Sequence, residues 1–295
     1  VQLFVGAFEQ SLNHAREFLA SYDPQIHSTL MFQMGQDPAV VVKAFMVYDL
    51  WYLGYPDQAL QCAGENVEEA ERLDHPFSLF FALHFKNRLH RWLGEVEQVE
   101  ALAKQQTKLW QEFGIKLGHV GAMLDGAWVV ARRGEPRLAV ERYKEALAAF
   151  VSAGMTNHLT EFWPVLAEMY VQTNETTRAL ELLAETIERI EKTGERYHEA
   201  EVYRLRGEMR LMQNPDAVAA AESDFRRALD VATEQHAKML ELRAAVSMAR
   251  LWRDRGDAAR KKDARDRLAA VYGWFTEGFD TADLQEARAL LDARP

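Results

Sequence analysis

The stretch Gly126–Phe150, GAWVVARRGEPRLAVERYKEALAAF, decides the fold class. One apolar run ends before Gly134, and a second follows it with Ala139, Tyr143 and Ala146 at helical spacing. Two helices approach closely only over small side chains, and Ala127, Ala139 and Ala146 supply them on both sides of the break. Gly134 suits the break itself, because the residue after a helix often takes a left-handed conformation that a β-carbon disfavours. The segment reads as a helical hairpin.

Working outward, the same break recurs. Gly54, Gly94, Gly134, Asn174, Asn214 and Gly256 are separated by 40, 40, 40, 40 and 42 residues. A second series, Asp74, Gly114, Gly154, Gly194 and Glu234, runs in steps of 40, offset from the first by 20. Such a period is the mark of stacked hairpins, each burying its apolar face against its neighbours. Repeat four matches with Ala167, Tyr170, Asn174 and Ala179; repeat five matches with Gly207, Ala221, Phe225 and Ala228 after a lengthened turn. The expected fold is all-α: a tetratricopeptide-like right-handed superhelix of antiparallel helix pairs, 40 residues per repeat.

Residues 1–295 read as one helical-repeat domain, with 1–36 an incomplete N-terminal unit, 37–273 about six helix pairs, and 274–295 a C-terminal capping helix. Asp23-Pro24, Asp37-Pro38 and Asn214-Pro215 each place an N-cap residue before a proline at the first helical position. Paired helices are predicted over 38–53 and 57–72, then 77–92 and 95–112. Pro164 predicts a kink or a late helix start. Asp280 or Thr281 should cap a last helix over 282–292, whose stripe Leu284, Ala287 and Leu291 packs on the sixth repeat while Trp274 and Phe275 or Phe279 fill the turn. The alternative use of Trp274–Thr281 is a recognition loop. The chain opens at Val1, without Met, in what reads as the end of a helix, which predicts a fragment of a longer protein.

Composition agrees with a helical array: 48% hydrophobic and 11% aromatic residues provide a continuous core, while 16 Gly and 8 Pro leave little room for the turns of an all-β fold. A net charge of -10 argues against a nucleic-acid or anionic-membrane surface. Residues 241–273 depart from that balance, with nine Arg or Lys against five Asp or Glu, and read as a solvated basic helix face. The single cysteine, Cys62, excludes an internal disulfide framework and suits a reducing compartment. No signal peptide or membrane-spanning window is evident, so a cytoplasmic protein is expected.

Sequence motifs for chemistry are absent. There is no G-x-x-x-x-G-K-[ST] phosphate loop; GHVGAMLDG at 118–126 is the nearest glycine-rich run and is better suited to tight helix packing. No G-x-S-x-G elbow, H-E-x-x-H helix or cysteine cluster occurs. His84 and His90 fall on different sides of a helix, and His198-Glu199-Ala200-Glu201 lacks a second histidine one turn away. The expectation is a chain that is not an enzyme and holds no cofactor or metal.

Tyr22-Asp23-Pro24 with His27, Gly35-Gln36-Asp37-Pro38, Leu53-Gly54-Tyr55-Pro56-Asp57-Gln58-Ala59-Leu60, His75-Pro76-Phe77-Ser78-Leu79 and Trp274–Thr281 together resemble the C-terminal repeat region of large bacterial signalling proteins. Members of that family carry a class III adenylate/guanylate cyclase domain, or a DNA-binding domain, ahead of an AAA-type ATPase module and then these repeats. The resemblance implies a regulatory module and assigns no catalytic residue to this chain.

Function is then expected on the surface. In such superhelices the first helix of each pair lines the concave groove. Projecting that face onto the chain selects Tyr48, Trp51, His84, Arg88, Arg91, Leu124, Trp128, Glu168, Arg204, Glu208, Arg250 and Arg253. Tyr48, Trp51 and Trp128 either line the groove or lie buried between helices. Two functions stay open: a scaffold that docks a protein or peptide partner, including the ATPase or cyclase domains of the same polypeptide, and a sensor whose groove holds a small-molecule or peptide effector for an ATPase-type transcriptional regulator.

Overall fold

Left-handed residues punctuate the chain at the predicted step. In the computed structural model, which describes residues 2–27, 35–253 and 255–293, positive φ occurs at Gly54, Asp74, Gly94, Gly114, Gly134, Gly154, Asn174 and Gly194. Gly134 stands at φ 89°. Around it Gly134 N–H donates to Ala131 O (3.2 Å) and Glu135 N–H to Val130 O (3.2 Å). The same pair recurs one repeat earlier at Gly94 and Glu95 and one repeat later at Asn174 and Glu175. Each pair reverses the chain and satisfies carbonyls that a helix end would leave open.

The helices so delimited are α1 (Phe8–Ser21), α2 (Pro24–His27), α3 (Pro38–Tyr52), α4 (Pro56–Arg72), α5 (Pro76–Trp92), α6 (Val96–Phe113), α7 (Lys116–Arg132) and α8 (Pro136–Ser152). They continue as α9 (Leu159–Gln172), α10 (Thr176–Thr193), α11 (Glu199–Gln213), α12 (Val218–Glu234), α13 (Lys238–Arg253), α14 (Ala258–Tyr272) and α15 (Ala282–Asp292). The fold class is all-α, with no strand among the described residues. None of the described helices is long and apolar enough to cross a membrane.

Asp37 caps α3 as expected, its Oδ1 accepting from Ala39 N–H (2.9 Å) and Val40 N–H (3.1 Å). Three expected breaks differ. Asn214 is extended and its side chain accepts from Asp216 N–H (3.0 Å), so α12 starts only at Val218. Glu234 ends α12, and the left-handed residue is His236, at φ 55°. Gly256 has no positive φ. The two residues added to this turn move the reversal away from the strict 40-residue register. Pro164 lies inside α9, which starts late, after His158 in the left-handed region at φ 65°. Val1, read as a helix end, lies outside the described residues, and Gln2–Gly6 form turns.

The chain divides into two compact units. One comprises 1–8, 52–55 and 157–295; the other comprises 9–51 and 56–156. Within the first, α11 and α12 meet where Gly207 faces Phe225: a β-carbon on Gly207 would stand 2.6 Å from the ring. Ala221, Phe225 and Ala228 are buried beside it. Within the second, Ala127, Ala139, Tyr143 and Ala146 are buried between α7 and α8. Burial of a large side chain such as Tyr143 contributes about 1.5–3 kcal/mol, and its small neighbours make that closeness possible. The last helix buries Leu284 and Ala287 against α13 and α14, the sixth pair.

Candidate functional site

Three helices of the first unit, α11, α13 and α15, present a closed ring of alternating charges. Arg243 of α13 grips Asp283 of α15 with two hydrogen bonds of 2.9 Å, and its other nitrogen lies 3.5 Å from Glu201 of α11. Glu201 accepts two bonds of 2.7 Å from Arg204, one turn along the same helix. Arg204 in turn reaches Glu208 at 2.7 Å. Arg250 of α13 bridges Glu208 (3.9 Å) and Glu286 of α15, which brings the ring back to α15. Ser247 sits within it, donating to Glu208 (2.7 Å) and accepting from Arg204 (3.4 Å).

Helical geometry accounts for the arrangement. Positions three, four and seven apart share a face, so Glu201, Arg204 and Glu208 on α11 and Arg243, Ser247 and Arg250 on α13 line up opposite one another. Burial alone would push the Glu201 carboxyl up, yet Arg204 and Arg243 hold it down at about 2. Against its own burial, Arg204 is held charged well above an ordinary arginine by Glu201 and Glu208. The inner members are therefore fixed ions in a low-dielectric setting, where losing one partner is costly. Exposure rises toward one end, from 12% at the Arg204 side chain to 47% at Arg250.

Of the residues projected onto the groove, the structure brings Arg204, Glu208 and Arg250 together in this ring. Glu168 acts on Arg204 electrostatically from α9, and Arg253 is exposed beyond Arg250. The members outside the projection, Glu201, Ser247, Arg243, Asp283 and Glu286, lie one or two helical turns from the projected residues or on the terminal helix.

The second unit places its share of the projected residues in the interior, apart from the half-buried His84. Tyr48 is fully buried against Phe85 and Trp92, with both ring pairs at 4.5 Å, and Trp51 stacks on Trp92 at the same distance. Leu124 and Trp128 are buried too, the latter beneath Arg132. Arg88 and Arg91 are buried; Arg88 lies 3.3 Å from His84 Nε2, and Arg91 lies 3.9 Å from Asp125, which also accepts from Asn87 (2.9 Å). Of the two readings of Tyr48, Trp51 and Trp128, burial between helices describes their position. Bulky rings at first-helix positions here build the core instead of an open wall.

His198, Glu199 and Glu201, the sequence's only metal-like run, are each engaged elsewhere. His198 Nδ1 bonds the Tyr52 hydroxyl (3.0 Å), while Glu199 and Glu201 pair with arginines.

With this geometry in place, comparison with solved structures gives the fold. BtubC (BKLC) from P. vanneervenii superposes with a TM-score of 0.53 at 20% identity, covering 76% of this chain and 94% of that one. A tetratricopeptide repeat protein from Parabacteroides merdae ATCC 43184 covers 96% of this chain and 99% of its own, with a TM-score of 0.48 and 12% identity. No protein-family model matches the chain, and a comparison with curated proteins finds no match. This chain is similar in fold to BtubC.

Proposed function

We propose that the chain is a non-catalytic protein-interaction module that docks a partner on the first-helix face of α11, α13 and α15. The observation that carries this reading is the charge ring, whose inner ions hold the face rigid while Arg250, with Arg253 beyond it, stays accessible. Arginines beside a fixed scaffold are suited to carboxylates and backbone carbonyls of another protein. The ring contains no nucleophile with an adjacent free base, and its carboxylates are committed to arginines, which favours binding over catalysis.

On the family resemblance, the partner is the ATPase or cyclase portion of the same bacterial signalling polypeptide, and the setting is cytoplasmic. The coding sequence ahead of Val1 tests this directly. A cyclase or AAA-type ATPase domain in the same frame supports the reading; an in-frame stop codon followed by a start immediately before Val1 overturns it.

A second reading, an effector sensor, is favoured by one feature. A cavity of about 480 Å³ lies between α12, α13 and α14, with Leu229, Met248 and Trp252 on its apolar side and Arg226, Arg260 and Asp263 among its polar lining. That volume falls in the range of small-molecule sites. A screen of small charged metabolites by thermal shift would support the sensor if one stabilises the protein and Trp252→Ala abolishes the effect; no stabilisation across the screen removes this reading.

A further inference from the structure

The cavity between α12, α13 and α14 carries alternating charges on two walls. Along α12 the wall reads Glu222, Arg226, Asp230; along α14 it reads Arg260, Asp263, Arg267. Steps of three and four residues keep each trio on one face of its helix. The order of signs is opposite on the two walls, and the three arginines balance the three carboxylates.

The two ends of the cavity differ. At one end the charges are committed to each other: Glu222 accepts from Arg226 (2.8 Å) and Arg260 (3.1 Å), and Arg260 lies over the Trp252 ring at 4.6 Å. At the other end they are open. Asp230, Asp263 and Arg267 are exposed and close no hydrogen bond or ion pair with another described residue, although both carboxylates act on Arg226 electrostatically. Leu229, Met248 and Ala264, all buried, give the lining its apolar part.

We propose that this cavity binds a free α-amino acid with an apolar side chain, its carboxylate on Arg267, its ammonium on Asp230 and its side chain against Leu229 and Met248. This ligand class rests on the sensor reading of the cavity. One guanidinium and one carboxylate at an open end suit a ligand that carries both signs a few atoms apart. A ligand of one sign meets repulsion there: a phosphate or dicarboxylate faces three lining carboxylates, and a polyamine faces three arginines. The volume of about 480 Å³ lies toward the small end of ligand sites, which suits a single amino acid. The cavity shares no residue with the charge ring and does not depend on the parent-protein reading.

Calorimetry on the full chain tests this with leucine, methionine and phenylalanine, and with two blocked forms, N-acetyl-leucine and leucinamide. At least one of the amino acids should bind saturably, and the blocked forms should bind about tenfold more weakly or worse, since each lacks one charged contact. Asp230→Asn and Arg267→Gln change exposed side chains, so the fold should persist by circular dichroism while affinity for the amino acid falls about tenfold or more in each. Asp230→Asn should leave the binding of N-acetyl-leucine no weaker than in the parent chain. Absence of binding by all three amino acids, equal binding of the blocked forms, or undiminished affinity in both variants overturns the proposal. Succinate and spermidine separate it from the reading beneath it. If either binds and Trp252→Ala abolishes the binding while the amino acids do not bind, the amino-acid assignment fails and the sensor reading stands; no binding by any compound removes both.

Discussion

The Gly54 turn rests on the ring of Trp274: a β-carbon at Gly54 would stand 2.6 Å from Trp274 Cζ3, 2.8 Å from Lys238 Cβ and 3.1 Å from Phe275 Cε1. The sequence predicts Trp274 and Phe275 or Phe279 at the turn of the sixth repeat, filling a local gap. Their partner is instead the first predicted break, with Tyr55 5.5 Å from Trp274 and the Lys238 ammonium 5.6 Å from its ring centre. Phe275 is buried there, Trp274 is 38% exposed, and Phe279 is 49% exposed.

Gly54 and Gly134 therefore separate two effects of a side chain. Both have positive φ, 92° and 89°, but nothing lies within 4 Å of a β-carbon at Gly134. Gly134→Ala should cost about 1–2 kcal/mol for the left-handed backbone alone. Gly54→Ala should cost that and roughly 1–3 kcal/mol more for overpacking. Denaturant unfolding of the two variants checks this; equal midpoints would mean that the Trp274 contact does not constrain the turn.

Truncation after Gly273 should give a destabilised, self-associating protein. It removes Leu284 and Ala287 from the face of the sixth pair and leaves Arg265, which now caps α15 by donating to Leu291 O and to Ala293 O (3.0 Å), without its acceptors. Burial of Leu284 alone is worth about 1.5–3 kcal/mol. Light scattering and thermal melts decide: a truncated chain that stays monomeric and as stable as the parent would rule out capping and favour the exposed Trp274 and Phe279 as a recognition surface.

Stability should fall with rising pH through Asp49. Burial pushes its carboxyl from 3.8 up to about 8, with Ser11 pulling the other way. Between those values the folded state keeps a proton that the unfolded chain has lost, so unfolding becomes easier as pH rises and the effect levels off above pH 8. Asp49→Asn removes this slope. It should leave stability at pH 4 nearly unchanged and raise it at pH 8 by roughly 4–6 kcal/mol, read from urea unfolding at both pH values. An identical pH slope in the variant would show that Asp49 does not titrate in the fold.

How much of this was legible in the sequence depends on distance along the chain. The helix pairs were, because their determinants are local: Gly94, Gly134 and Asn174 sit where φ must be positive, and Ala139 or Gly207 where helices touch. The exceptions, Asn214, Glu234 and Gly256, cluster where the repeat lengthens and local register no longer fixes which residue turns. Arg204 and Glu208 on one helix and Arg250 on another could be projected onto one face because their spacing is helical. Their partners Asp283 and Glu286 could not, since the terminal helix stands outside the period. Gly54 on Trp274 was invisible: neither periodicity nor composition reports contacts between residues so far apart in the chain.

The isolated chain should neither bind ATP nor produce a cyclic nucleotide, since no phosphate loop is present in its sequence. Calorimetry with ATP and Mg²⁺ is the check. Saturable micromolar heat that a point substitution within the chain abolishes would make it more than an interaction module.

The central claim, that the face bearing Arg250 and Arg253 docks the ATPase or cyclase portion of a parent polypeptide, is tested most directly by titrating that portion into the chain by calorimetry. The account expects saturable binding that weakens with added salt and falls about tenfold or more in the Arg250→Glu, Arg253→Glu double variant, with its fold intact by circular dichroism. No binding at any concentration, or undiminished affinity in the double variant, would contradict it.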